Sequence, residues 1–198
     1  MAIGSKQLAV KKESLHAAKR ILHTAYQERR TQNEEPPVMD EHEIIKIVTE
    51  GYSELFGDTV ISITPLPRSG SDRRYFRIHG NGKSIIGAHN ANREENEAFI
   101  GFTHHFRSKS LPVPEIFGYF PEKFVYYLQD LGDDNLYTWL HKRPVIAPFD
   151  QEAISLYKKI LDRLVLFQTR GITGLNLDLC YPHRSFDRQS MMWDMNYF

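Results

Sequence analysis

The residues best suited to chemistry in this chain lie between Pro67 and Asn90, where Ser69-Gly70-Ser71-Asp72-Arg73-Arg74 places two hydroxyls, a glycine and two guanidinium groups side by side. A loop of small residues between two antiparallel strands can close backbone N–H groups over a phosphate, and serine hydroxyls can donate as well. Arg73 and Arg74 add positive charge. The alternative is an ordinary β-turn carrying solvated arginines. A second reactive group is Glu95, which begins a helical face continued by Phe99, Phe102 and Phe106. The aromatic residues read as core. A carboxylate on the same face lies at its rim or is paired, because burying it alone is costly. Other constellations are weak. The nine histidines show no metal-ligand spacing with the lone Cys180, and His104-His105 beside Arg107 reads as a solvated helix face. There is no Gly-x-Ser-x-Gly elbow, and Gly82-Lys83-Ser84 lacks the upstream glycine and following helix of a Walker loop.

The rest of the chain must position these groups. Its 198 residues suffice for one medium domain or two small lobes, and 41% hydrophobic content excludes a disordered chain. Charge balances at 25 basic against 25 acidic residues, so nothing in the bulk composition favours nucleic acid or an anionic membrane, and any anion site must be local. One cysteine permits no intrachain disulfide, and Lys6, Lys11, Lys12 and Glu13 interrupt any signal-like apolar run. With no apolar stretch of transmembrane length, a cytoplasmic location is expected.

Residues 1–40 read as a loosely attached basic helix, with Leu15, Ala18, Leu22 and Tyr26 at helical spacing, and a polar tether ending at Pro36-Pro37. A basic partner-binding helix is the alternative. The spacing of Ile44, Val48, Tyr52 and Leu55 predicts a helix from Glu41 or His42 to Phe56, stopped by Gly57. Strands are predicted over Thr59–Leu66, Arg74–His79 and Ser84–Ala88, with Asn81-Gly82 as the hairpin turn between the last two. A helix over 92–108 follows, then strands over Glu115–Phe120 and Phe124–Gln129. The run Val125-Tyr126-Tyr127-Leu128 has the continuous apolar character of a buried central strand. After the acidic break Asp130–Asn135 come a short helix carrying Trp139 and Leu140 and a long helix from Gln151 to about Thr169, capped by Asp150, with Ile154, Tyr157, Leu161, Leu164 and Val165 as its apolar face. The chain ends in Met191, Met192, Trp193, Tyr197 and Phe198, an apolar set that would drive aggregation if exposed.

This order of elements, together with four phrases, resembles the aminoglycoside phosphotransferase and choline kinase superfamily, and within it the bacterial kinases of the anomeric hydroxyl of N-acetylmuramate or N-acetylglucosamine. The phrases are Ser69–Arg77, Glu95-Asn96-Glu97-Ala98-Phe99-Ile100, Leu111-Pro112-Val113-Pro114-Glu115 and Leu128-Gln129-Asp130-Leu131-Gly132-Asp133. The resemblance runs from about Glu41 to Phe198. It implies an α+β fold: a protein-kinase-like small lobe over 41–130, with a five-stranded antiparallel sheet and one helix, then a hinge and the first helices of an incomplete large lobe over 131–198, behind an N-terminal extension over 1–40. It implies ATP and magnesium as cofactors of the full-length enzyme and a sugar or amino sugar as acceptor. Ser69, Gly70, Ser71, Asp72, Arg73 and Arg74 would cover the nucleotide phosphates, and Gln129 and Leu131 would offer backbone groups to adenine. Glu95 matches the family's helix glutamate, whose usual partner is a lysine on the third strand. That strand reads Ser84-Ile85-Ile86-Gly87-Ala88-His89 here and has no lysine, and Lys83 falls too early. The amino-sugar kinases also tend to lack it, which leaves Glu95 to pair with an arginine of the loop strand or to sit near a metal. A catalytic loop of the His-x-Asp type with its later asparagine and aspartate is absent. His183-Arg184-Ser185-Phe186-Asp187 is not that loop, because its aspartate comes two residues late. No catalytic residue is therefore assigned. The expectation is a phosphotransferase that is inactive as this chain, with a non-catalytic nucleotide-binding or scaffold module, pseudokinase-like, as the alternative.

Overall fold

Five strands form one antiparallel sheet in the order β1-β2-β3-β5-β4. The computed structural model describes residues 39–68, 71–80, 82, 84–142 and 150–197, and Glu41–Phe198 form one unit separate from Met1–Asp40. The strands are β1 (Ser62–Pro65), β2 (Arg74–His79), β3 (Ser84–His89), β4 (Ile116–Phe120) and β5 (Val125–Gln129). Helices α1 (Glu41–Phe56) and α2 (Arg93–Ser108) precede the sheet and interrupt it between β3 and β4; α3 (Leu136–His141), α4 (Gln151–Leu166) and α5 (Arg188–Tyr197) follow it. The fold class is α+β, with a five-stranded antiparallel sheet and several helices. No helix among the described residues is long and apolar enough to cross a membrane.

Helices α1 and α2 each cover one face of the sheet. α1 lays Ile44, Val48 and Tyr52 against it and stops at Gly57, whose φ of +64° is open to glycine at little cost. Its approach depends on Gly87. A Cβ there would lie 2.7 Å from Val48 Cγ1 and 3.0 Å from Ile78 Cδ1. The Tyr127 hydroxyl, buried beneath α1, donates to the Val48 carbonyl at 2.6 Å. On the opposite face, α2 places Phe99 and Ile100 on Ile86, Ala88, Tyr126 and Leu128. Burial on both faces explains the continuous apolar run Val125–Leu128, all of it buried, in a strand flanked by β3 and β4.

Several predicted bounds shift for local reasons. β1 is shorter than Thr59–Leu66 because Thr59 turns on Asp58, its amide donating to Oδ1 at 2.7 Å, and Ile61 is exposed. β3 runs one residue beyond Ala88, to His89, which pairs with both Arg74 and Val125. α2 starts at Arg93 because the Asn92 side chain caps it by accepting from the Glu95 amide. The helix capped by Asp150 is α-helical only to Leu166, then continues as a π-helix over Phe167–Gly171. Its apolar face is exposed at Tyr157, Leu161, Leu164 and Val165. α5 was not legible in the sequence, where apolar residues show no helical stripe. Asn81, the N-terminal helix over Leu15–Tyr26, the side chains of Trp193 and Tyr197, and Phe198 lie outside the described residues.

Candidate functional site

The loop that leads into β2 delivers two adjacent arginines to opposite faces of the sheet. Arg73 turns toward α2, where its Nη2 donates to Glu95 Oε1 at 2.7 Å and its Nη1 to the Tyr75 hydroxyl at 3.3 Å. The guanidinium lies 5.3 Å from the ring centre of Phe99 and 5.9 Å from that of Tyr126, within the reach of cation–π attraction. Glu95 Oε2 accepts a second bond, from Asn90 Nδ2 at 2.9 Å. The carboxylate on the aromatic face of α2 is therefore paired rather than stranded, and its partner is an arginine of the loop strand. Burial opposes the charge of Arg73, but the Tyr75 hydrogen bond and the Glu95 carboxylate raise its pKa further above neutrality. Burial likewise raises the neighbouring Tyr126 phenol, which stays neutral.

One donor of this assembly is left over. Arg73 Nε is buried and has no hydrogen-bond partner among the described residues. Arg73 also lines a small surface groove, open to solvent, with Glu41, Leu66, Arg68, Arg74 and Tyr75. A cation held in this way is chemically suited to an anionic oxygen. Ser71 and Asp72 are exposed in the bend just before Arg73. Ser69 and Gly70 lie outside the described residues.

Arg74 goes the other way. It reaches Glu41 of α1 at 3.4 Å and faces His89 across the β2–β3 pair. Side chains alternate along a strand, so neighbours at Arg73 and Arg74 part company where β2 begins. His89 is buried with its Nε2 unpartnered among the described residues; burial, and then the Arg74 charge, lower its pKa to about 4.

At the far end of the α2 face sits a cluster the sequence did not announce. Asp130 receives Arg77 Nε at 2.7 Å, Arg77 Nη2 at 3.1 Å, the Ser84 hydroxyl at 2.5 Å and the Gly132 amide at 2.9 Å. Arg77 also pairs with Asp133 at 2.8 Å. Burial pushes the Asp130 carboxyl up, but the bonds from Arg77, Ser84 and Gly132 outweigh it and hold the pKa down to about 2. The available signal was parity: Arg77 lies opposite Ile86, two residues from Ser84, so both project from the face that carries Leu128 and Asp130. This cluster fixes the chain as it leaves β5. Gln129 is bound to β4, its amide donating to the Glu115 carbonyl at 2.8 Å, whereas Leu131 is 68% exposed.

No family model, curated protein or solved structure matches the chain. The site is therefore judged on its chemistry. Of the nine candidates from the sequence, Arg73 and Glu95 are joined directly, with Ser71 and Asp72 beside them in the chain. Arg74 is on the opposite face, and Gln129 and Leu131 are at the end of β5. Among the described residues, no three His, Cys, Asp or Glu side chains form a metal site, so no step is assigned to magnesium. Asp187 is taken up as the cap of α5, accepting from the Ser190 amide at 2.9 Å and its hydroxyl at 3.0 Å.

Proposed function

We propose that this chain is the nucleotide-binding part of an ATP-dependent phosphotransferase of the aminoglycoside phosphotransferase and choline kinase type, related to kinases of sugar or amino-sugar hydroxyls. The observation that carries the reading is the Arg73–Glu95 pair. It joins the small-residue loop to the helix between the third and fourth strands, the two elements that a kinase-like small lobe uses to hold phosphates. In this chain the cation comes from the loop strand and substitutes for the missing third-strand lysine. Arg73 would hold a phosphate oxygen and Glu95 would keep the guanidinium oriented. The loop backbone at Ser71 and Asp72 would cover the phosphates, and the exposed backbone at Leu131 would meet the base. ATP would supply the phosphoryl group.

A second reading, a non-catalytic nucleotide-binding or scaffold module, is favoured by one observation: among the described residues no three His, Cys, Asp or Glu side chains come together as a metal site. Two measurements on the purified chain test the readings. Titration with a fluorescent ATP analogue should show saturable binding that Arg73→Ala weakens at least about tenfold, the loss of one charge-assisted contact. Incubation with ATP, magnesium and N-acetylmuramate should give no turnover above background. Absence of nucleotide binding would refute the phosphotransferase reading and leave only a scaffold, and robust turnover would refute both the non-catalytic reading and the expectation that this chain is inactive.

A further inference from the structure

α2 is held from two sides. On its inner side the Arg73 pair and the contacts of Phe99 and Ile100 tie it to the sheet. Along its outer side runs the segment Phe167–Tyr181, which touches it from end to end. Near the C-terminus of α2, His105 Nε2 lies 2.7 Å from the Gly171 carbonyl, and the rings of Phe106 and Phe167 meet edge to face at 5.1 Å. Arg170 Nη2 donates to the Lys109 carbonyl at 3.0 Å, just past the helix end. In the middle, Leu179 Cδ1 lies 2.6 Å from where a Cβ on Gly101 would be. A glycine inside a helix is less favourable than alanine, and close packing of Leu179 accounts for it here. At the N-terminus, Asn92 Nδ2 donates to the Tyr181 hydroxyl at 2.7 Å, while the Oδ1 of the same amide accepts from the Glu95 amide at 3.0 Å.

We infer that Leu179 and Tyr181 are positioning residues for Glu95: the segment Phe167–Tyr181 is a strap that seats α2 and orients its capping amide, so that the Glu95 carboxylate meets Arg73. The physical link is the Asn92 amide. With Tyr181 accepting from its Nδ2, the amide is fixed with Oδ1 toward Glu95; without that acceptor the amide can flip and uncap the first turn. Leu179 acts along the same line by locking the helix against sliding over its Gly101 surface. Among the described residues the strap's bonds and packing here run to α2, its cap Asn92 and the residue just past it, so its influence on the site passes through the position of α2.

The inference rests on the proposed nucleotide site for its functional side, and the test separates the two. Amide hydrogen exchange and titration with the fluorescent ATP analogue are measured on the full chain for wild type, Tyr181→Phe, Leu179→Ala and Asn92→Asp. Tyr181→Phe and Leu179→Ala should speed exchange at Glu95 and Asn96 at least about fivefold, leave the β2–β3 amides unchanged, and weaken the nucleotide analogue by a similar factor. Asn92→Asp should behave as wild type, since a carboxylate still caps the helix and accepts a bond from the Tyr181 hydroxyl. Unchanged exchange at Glu95 in both strap variants would overturn the inference, whatever the nucleotide does. So would equal acceleration across the β2–β3 amides, because it would indicate general destabilisation. If wild type binds no nucleotide while the strap variants still loosen Glu95, the strap stands and the proposed function falls.

Discussion

Arg73 concentrates several interactions in one side chain, and its replacement separates them. Arg73→Ala leaves Glu95 with its hydrogen bond from Asn90 and removes the cation beside Phe99 and Tyr126. The pair is partly buried, 11% exposed on the arginine side and 38% on the glutamate side. Its loss should therefore cost about 2 kcal/mol in urea unfolding, between the limits for exposed and buried pairs. Two titrations should occupy separate pH windows. His89 has its pKa lowered from 6.5 to about 4, so the unfolded chain binds that proton more readily. The stability due to its neutral form is fully present above pH 6.5 and is lost as pH falls toward 4, by an amount on the order of 3 kcal/mol. Unfolding curves at pH 7 and pH 4.5 should show the loss, and His89→Gln should abolish most of it. Asp130, lowered from 3.8 to about 2, contributes stability above pH 3.8 that disappears only as pH falls toward 2. Asp130→Asn should lower stability at neutral pH by about 2 kcal/mol and flatten the acid limb below pH 4.

At the scale of elements, the sheet is set by small-residue contacts as much as by its hydrophobic pattern. Gly87→Ala introduces a methyl 2.7 Å from Val48 in a core sealed by α1. Overpacking of this kind should cost about 1–3 kcal/mol, measured as a lower urea midpoint with an unchanged slope. Strand existence was legible because alternation and the Asn81-Gly82 turn are local signals; β2 runs over Arg74–His79, the bounds read from the sequence. Helix α1 was equally legible, since its buried stripe repeats at helical spacing and ends on a glycine. The fate of His105 was not. Beside His104 and Arg107 it reads as surface, yet its ring meets the Gly171 carbonyl. A contact across 66 positions leaves no trace in helical periodicity.

Considering the molecule as a whole, the covered core belongs to the sheet with α1 and α2, and apolar exposure collects on the segments that follow. Leu161 is 58% exposed, Leu164 49% and Val165 54%, on one helix, with Met191, Met192 and Met195 exposed on another. Surfaces of this kind promote association. Static light scattering at tens of micromolar should give a mass above the 23.1 kDa of one chain. Leu161→Glu together with Val165→Glu should move it toward the monomer without lowering the unfolding midpoint. A monomeric wild type would contradict this expectation.

What the sequence determined by itself was carried by neighbours in the chain: the existence of the strands, the cap at Asp150, and the central place of Val125–Leu128. It also narrowed Glu95 to a rim position or a pair. Only the tertiary structure decided which. Arg73 and Arg74 are adjacent and chemically alike, but the onset of β2 sends one to Glu95 and the other to Glu41. The same folding brings Arg77, Ser84 and Asp130 into one cluster and lays Leu179 on Gly101. Hydrogen bonds and packing act over a few ångströms in space, whereas sequence periodicity reports only how each element faces its surroundings, so the partner that fills a face emerges when the elements meet.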